Sequence, residues 1–283
     1  MQNGITVIQP ASAARAVQAA LARIDGRADD DEIPIRVHLA MLAAGRFTAA
    51  RRRLTRDLAA PELPLLAARY AAWTADLHAV AAAWATVRAS AEALLREQPH
   101  AHSRLLVMTC TELQRTATDI GDPAFAAVLL RRATAPSQPA PAHAGHPDDD
   151  DMAAADVILD FVHGTLGIEP DATRNRLRIR PGPDTADTGI EVRSIRFGDG
   201  AVNLRGSTDR HNSRVRHNWR VSQDAGAIPL TVLLEPVITG TVTGCSVDGR
   251  PASLSPQPVP GGTAVPVQLV LDDERSLDID VDP

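Results

Sequence analysis

The sequence predicts an α+β protein of two domains, an N-terminal domain of α-helical hairpins and a C-terminal antiparallel β-sandwich. Apolar residues recur at helical spacing through the first half, alternate over short segments in the second, and a stretch rich in proline and aspartate separates the two. We therefore expect a helical-hairpin domain at 1–135, a linker at 136–151 and a β-sandwich domain with a leading helix at 152–283. The 283 residues suffice for each domain to bury its own core.

Short loops join the predicted helices of the first half. Pro34, Asp76 and the pair Asp122–Pro123 stand where proline and aspartate are favoured at a helix N-terminus. This pattern is typical of paired antiparallel helices. The predicted helices are 11–24, one that follows Pro34 and ends near Gly45, 48–58, one that holds Leu66, Tyr70 and Trp73, 77–96, 103–120 and 123–132.

The composition changes in the predicted linker, where prolines and the run Asp148–Asp151 interleave with Ala, His and Gly. Such a stretch buries too little apolar surface to offset the entropy of ordering it. His143 and His146 stand near the aspartates, but a linker offers no fixed scaffold for metal ligands. We expect no metal site and no cofactor.

A helix from Ala153 to about Gly164 precedes a series of short strands. Between Arg214 and Val221 only every second or third residue is apolar, as in a strand with one buried face. Turn signals separate the strands, which is typical of an antiparallel sandwich, and Trp219 is expected to cover its inner face. The predicted strands are 177–180, 190–197, 202–205, 214–222, 230–235, 237–243, a short one near 245–247, 265–271 and 276–281.

Composition also bears on function and location. The formal net charge of -6 argues against nucleic acid as a partner, because phosphate binding needs a concentrated positive face. No apolar run reaches the length of a transmembrane helix, and Met1–Gly4 lacks the pattern of a signal peptide, so we expect a cytoplasmic protein. Cys110 and Cys245 have neither metal-ligand spacing nor a disulfide framework, and we interpret both as small buried apolar residues.

One segment of the sequence carries a family resemblance. Val157–Ala172, which reads VILDFVHGTLGIEPDA, and its continuation Arg176–Pro181 resemble the last helix and turn that lead into the β-domain of six-hairpin, (α/α)-toroid glycosidases. Leu63–Asp76 is similar to a hairpin junction of that toroid, with Ala75 where glycine is expected, and Asp25–Pro34 looks like a stretched Asp-Gly-x-Ile-Pro loop. The resemblance implies a toroid-like helical part and a β-domain that closes it. A complete toroid closes six helical hairpins, more helical sequence than this chain holds, so we expect a partial ring.

Glycoside hydrolysis, the activity that the resemblance implies, needs two carboxylates on either side of the scissile bond. Glu32 is the first candidate for an acid, because it adjoins the Ile-Pro loop that faces the site in such proteins. No residue matches a catalytic motif of the family, and we interpret His163 and His217 as structural. Trp219 would be a ligand contact if it were exposed. The other candidate carboxylates are Asp29–Asp31 in a solvated loop, Glu62, Asp76 as a helix cap, Glu92 on an exposed helix face, and Glu112.

Three classes of function remain open. The leading hypothesis is a non-catalytic structural or protein-interaction subunit on a shortened glycosidase-like scaffold, with a protein partner or a second copy bound to exposed helix faces. The alternatives are a glycoside hydrolase, inverting or retaining, and a carbohydrate-binding module that uses the β-domain. Peripheral docking on a membrane complex also stays open, because it leaves no transmembrane signature.

Overall fold

A computed structural model describes residues 5–27, 34–56, 60–97, 104–134, 150–183, 185–211, 214–224, 228–253 and 255–282. It confirms the predicted α+β class, with helices in the first half and mostly antiparallel sheets in the second. The linker at 136–151 lies largely outside the described residues, and the predicted domain boundaries stay a prediction.

The helical part follows the predicted order. Asp76 and Asp122 cap their helices as expected, accepting hydrogen bonds from the backbone N–H groups of Ala79 and Phe125 at 3.0 and 3.1 Å. The helices are α1 (Ala11–Asp25), α2 (Ile35–Ala43), α3 (Phe47–Thr55), α4 (Leu63–Thr74), α5 (Leu77–Ala82), α6 (Trp84–Glu97), α7 (Arg104–Asp119), α8 (Pro123–Ala133) and α9 (Asp150–Leu159).

Two helix predictions and one strand prediction differ clearly from the structure. The predicted strand 237–243 is two strands, Val237–Ile238 and Thr241–Val247, which belong to different sheets. The predicted helix 77–96 is two helices, α5 and α6, which part at Ala83. The leading helix begins at Asp150, not Ala153, so two aspartates assigned to the linker belong to α9. Asp151 is buried there because Arg23 and Arg27 pair with its carboxylate at 2.7 and 3.0 Å.

The strands pack as a large and a smaller sheet with a short third one. In the described residues the large sheet has the order β1-β4-β5-β6-β14-β9-β10, the smaller one β13-β7-β3-β2, with β3 and β7 parallel, and the short one β11-β12-β8. The strands are β1 (Thr6–Gln9), β2 (Ile168–Asp171), β3 (Arg176–Ile179), β4 (Ile190–Phe197), β5 (Gly200–His211), β6 (Arg214–Gln223), β7 (Leu230–Leu234), β8 (Val237–Ile238), β9 (Thr241–Val247), β10 (Arg250–Pro251), β11 (Gln257–Val259), β12 (Gly262–Ala264), β13 (Val267–Leu271) and β14 (Glu274–Asp282).

The two halves are packed against each other at several places. The unpredicted strand β1, at the start of the helical half, pairs antiparallel with β4 at the edge of the large sheet. Conversely, α9, which leads into the β-half, packs on α1 and α2. A π-helical segment (Asp160–Thr165) and a sharp turn at Gly167 connect α9 to β2. Gly167 has φ +58°, and a Cβ there would collide with the carbonyl oxygen of Arg180.

Trp219 anchors the core of the sandwich. Its side chain is 1% exposed and lies on the inner face of β6, as the sequence predicts. Gly206 is its register partner on β5, and the indole occupies the space that a side chain at Gly206 would need.

Substituting Gly206 with Ala tests this packing. A Cβ at Gly206 would stand 2.5 Å from the Trp219 ring, so the indole must shift, and we expect a loss of about 1–3 kcal/mol in the free energy of unfolding. Urea unfolding followed by tryptophan fluorescence measures the loss. Gly164→Ala is the control, because nothing lies within 4 Å of a Cβ there. Equal stability of the two variants would contradict this packing.

Candidate functional site

A cleft of about 310 Å³ lies where the helices meet the β-half. Its walls are α4 and α7 on one side, and His163, β2 and a 3-10 turn (Ala172–Arg174) on the other. Alanines of α4 form an apolar floor, while charged side chains of both walls face one another across it. A concave site with an apolar base and a few convergent polar groups is the default place to look for binding or catalysis.

Arg69 on α4 is the centre of the polar groups in the cleft. Its Nε and Nη2 donate to the two carboxylate oxygens of Glu112 on α7 at 3.1 and 3.2 Å, a bidentate pair. Its Nη1 donates to Nε2 of His163 at 3.1 Å, and Met108 Sδ lies 3.4 Å from Nη2. With side chains only 17% and 30% exposed, Arg69 and Glu112 are partly shielded from solvent. One guanidinium therefore connects α4, α7 and the π-helical segment.

His163 is held as a neutral imidazole. The carbonyl oxygen of Ile168 can only accept, so Nδ1 at 2.9 Å carries the proton, and Nε2 accepts from Arg69. The pKa of His163 is lowered to about 4, mainly by burial and also by the Arg69 charge, while the bond to Ile168 opposes both. Its ring also meets the Trp73 ring edge to face at 6.5 Å. These contacts fix the ring, as expected for a structural histidine.

A second set of charges closes the other end of the cleft. Arg174 donates to Asp119 Oδ1 at the end of α7 at 3.3 Å and to Asp171 Oδ1, also at 3.3 Å. Thr173 donates to Asp171 at 2.9 Å and to Asp119 at 3.4 Å. Asp119 is thus bonded across the junction between the helices and the β-half, whereas Asp171 is bonded within the β-half. Glu169, at the rim, pairs with Arg178 at 3.0 Å.

These contacts restrict the chemistry of the cleft. A catalytic carboxyl group of a glycosidase must be free to contact the scissile bond, whereas a carboxylate bonded to a guanidinium already has its oxygens engaged. Each of the four carboxylates of the cleft, Glu112, Asp119, Glu169 and Asp171, has an arginine nitrogen within 3.3 Å. The geometry is therefore that of a polar joint between two halves of the molecule.

The candidate carboxylates from the sequence are dispersed. Glu112 alone among those the structure describes lines the cleft. Asp76 caps α5 and accepts a hydrogen bond from Tyr70 at 3.0 Å, and Glu92 pairs with Arg88 on the surface of α6. Glu62 is exposed just before α4. Glu32 and Asp29–Asp31 lie outside the described residues, so a catalytic role for Glu32 stays a prediction.

The sequence also singled out Trp219, His217 and the two cysteines. Their surroundings are those of structural residues. Trp219 is buried, so the exposure that a ligand contact at Trp219 requires is not met. His217 is also buried, with Thr208 Oγ1 2.8 Å from its Nδ1 and Asp187 3.9 Å away. Burial raises the pKa of the Cys110 thiol to about 11, while Cys245 is half-buried.

No cluster of three His, Cys, Asp or Glu side chains in the described part of the chain could hold a metal ion. No helix among the described elements is long and apolar enough to cross a membrane. His143 and His146 fall outside the described residues.

The sequence did not single out Arg69, Asp119, Asp171 or Arg174. A signal for Asp119 was present, because Glu112 and Asp119 are seven residues apart on a predicted helix and therefore share a face. The partners on α4 and the 3-10 turn gave no such signal, since their meeting depends on how the two halves pack.

Comparison with known proteins gives low similarity throughout. No family model matches the chain, and no curated protein matches it. Among solved structures, it is similar to a GH127 β-L-arabinofuranosidase from Geobacillus stearothermophilus T6, with a TM-score of 0.28 and 12% identity. It is also similar to an α-L-rhamnosidase from Dictyoglumus thermophilum, with a TM-score of 0.31 and 11% identity. Both matches cover 78% of this chain, but only 42% and 25% of the two enzymes' chains.

The His163→Gln variant tests the neutral imidazole. The pKa of His163 is lowered from 6.5 to about 4 by folding, so between these values the unfolded chain binds a proton that the folded chain does not. The free energy of unfolding of the wild type should therefore fall as the pH drops from about 6.5 towards 4. His163 contributes up to about 3 kcal/mol of this fall. The variant should lose less stability over this range in urea unfolding. His78→Gln, at an exposed histidine of α5, should keep the wild-type slope, and an unchanged slope in His163→Gln would contradict the assignment.

Proposed function

We propose that the protein acts by binding, as a non-catalytic structural or protein-interaction subunit with a glycosidase-like architecture. The observation that carries this proposal is the pairing of the four cleft carboxylates with arginines. Glycoside hydrolysis needs one carboxyl group as an acid and a second as a base or nucleophile. In the cleft Glu112 instead connects α7 to α4 and Asp119 connects α7 to the β-half, so these charges serve cohesion.

The surface between α6 and α8 supports the interaction part of the proposal. A groove of about 370 Å³ has Leu95, Phe125 and Val128 at its base and charged α6 side chains, including Arg88 and Arg96, at its rim. Val128 is 39% exposed, and the Arg88 guanidinium lies 5.1 Å from the centre of the Phe125 ring. An apolar base with a polar rim is the usual anatomy of a protein interface. We name this surface the α6–α8 groove and propose that a protein partner occupies it.

A hydrolysis assay tests the non-catalytic part. The purified chain is incubated with aryl glycosides and oligosaccharides, including β-L-arabinofuranosides and α-L-rhamnosides, beside Glu112→Gln, Glu32→Gln and the surface control Glu92→Gln. We expect no turnover above the buffer rate in any of them. Turnover that Glu112→Gln or Glu32→Gln abolishes and Glu92→Gln preserves would overturn the proposal in favour of a glycoside hydrolase.

Two valines of equal exposure allow a matched test of the groove. Val128 on α8 and Val157 on α9 are both 39% exposed, so substitution with Glu removes a similar amount of buried apolar surface at either position. Only Val128 lines the groove. Partners captured from the native source are quantified by mass spectrometry, and the mass of the isolated chain is measured by light scattering. We expect Val128→Glu to reduce capture or self-association at least fivefold, and Val157→Glu to leave both unchanged. Equal behaviour of the two variants would exclude the groove as the interface.

A further inference from the structure

The solvent face of the large sheet carries a polar depression that is separate from the cleft and from the α6–α8 groove. It has a volume of about 300 Å³ and lies across β5, β6 and β14. Its side chains come from alternate positions of the strands, whose intervening residues, such as Trp219 and Leu277, are buried in the sandwich. Arg205 and Arg220 form one row of this depression.

These two arginines lie directly opposite each other. Arg205 on β5 and Arg220 on β6 are register partners, and Cβ atoms of directly opposite residues are about 5 Å apart. Both side chains are exposed, so they stand on the same face of the sheet. Like charges in this arrangement destabilise a strand pair. An anion bound between the two guanidiniums would remove that repulsion.

Neither arginine has a carboxylate within hydrogen-bond distance. The Arg205 side chain forms no hydrogen bond or ion pair with any described residue, although Glu191 is its register partner on β4, and Arg220 forms only a long ion pair with Glu274 at 3.9 Å. By contrast, Arg216 on the same strand donates to Asp280 at 2.7 Å. The guanidiniums of Arg205 and Arg220 can therefore bind a ligand, whereas the guanidinium of Arg216 is already paired.

The next row of the depression supplies groups that bind hydroxyls. Ser207, Asn218 and Asp278 are register partners across β5, β6 and β14, and they lie two residues, or about 7 Å, along the strands from the arginine row. A hydroxyl group, an amide and a carboxylate can each hydrogen-bond to a ligand hydroxyl. Asp209 also lines the depression and accepts a hydrogen bond from the Asn218 amide at 2.8 Å, and the negative charges of Asp209 and Asp278 disfavour a ligand with several anionic groups.

We propose that this depression binds a small hydroxylated oxyanion. A single phosphate or carboxylate group lies between Arg205 and Arg220, where guanidinium planes match its oxygens, and adjacent hydroxyls of the ligand bind the row of Ser207, Asn218 and Asp278. The site is independent of the proposed function, because it shares no residue with the α6–α8 groove.

Calorimetric titration of the full chain at low ionic strength tests the site. The probes are glucuronate, glucose 6-phosphate, glucose and inorganic phosphate. We expect saturable binding of glucuronate or glucose 6-phosphate and none of glucose, and the tighter of the two anions identifies the bound group as carboxylate or phosphate. The double variant Arg205→Gln/Arg220→Gln should weaken this binding at least tenfold.

Arg214→Gln is the matched control. Arg214 is exposed on the same face of β6, about 20 Å along the strand from Arg220, and should leave binding unchanged. Removing the opposed charges should not lower Tm, so thermal unfolding separates loss of binding from loss of folding. The proposal is overturned if neither hydroxylated anion binds saturably, or if Arg214→Gln weakens binding as much as the double variant. It is also overturned if inorganic phosphate binds as tightly as glucose 6-phosphate.

Discussion

The contact between Arg69 and its two partners is the interaction on which the junction of the molecule depends. Glu112 and His163 are 43 and 94 residues away in the chain, and one guanidinium brings both to α4. Removing one partner of a partly buried ion pair costs about 2 kcal/mol in the free energy of unfolding. The cost is larger than for an exposed pair, because the remaining charge is left without compensation. The neutral state of His163 follows from the same contact, since an imidazolium could not accept from the guanidinium.

Opposite charges meet at both ends of the cleft. Arg69 and Arg174 match the acidic side chains of α7 at both ends of the cleft. The two halves are also tied by β1, which extends the large sheet, and by α9, which packs on α1 and α2. The helices and the sheets therefore form one cohesive unit.

The sequence predicted what local chemistry controls. Helical and alternating periodicity indicated the α+β class, and the capping roles of Asp76 and Asp122 were confirmed, because caps act within three residues. Strand β1 was missed because four residues that pair with a segment far along the chain carry no local signal. The break between α5 and α6 at Ala83 was missed because alanine favours helix. Glu112 could be named as a carboxylate, but its pairing with Arg69 depends on tertiary packing.

A double-mutant cycle of Arg69→Met and Glu112→Gln tests the cohesive role of the cleft most directly. The free energy of unfolding in urea is measured for the wild type, both single variants and the double variant, with tryptophan fluorescence and circular dichroism as probes. The account predicts a favourable coupling of about 1 kcal/mol or more, and one transition shared by both probes in the wild type. Additivity of the two substitutions within about 0.3 kcal/mol, or separate wild-type transitions for helices and sheets, would contradict it.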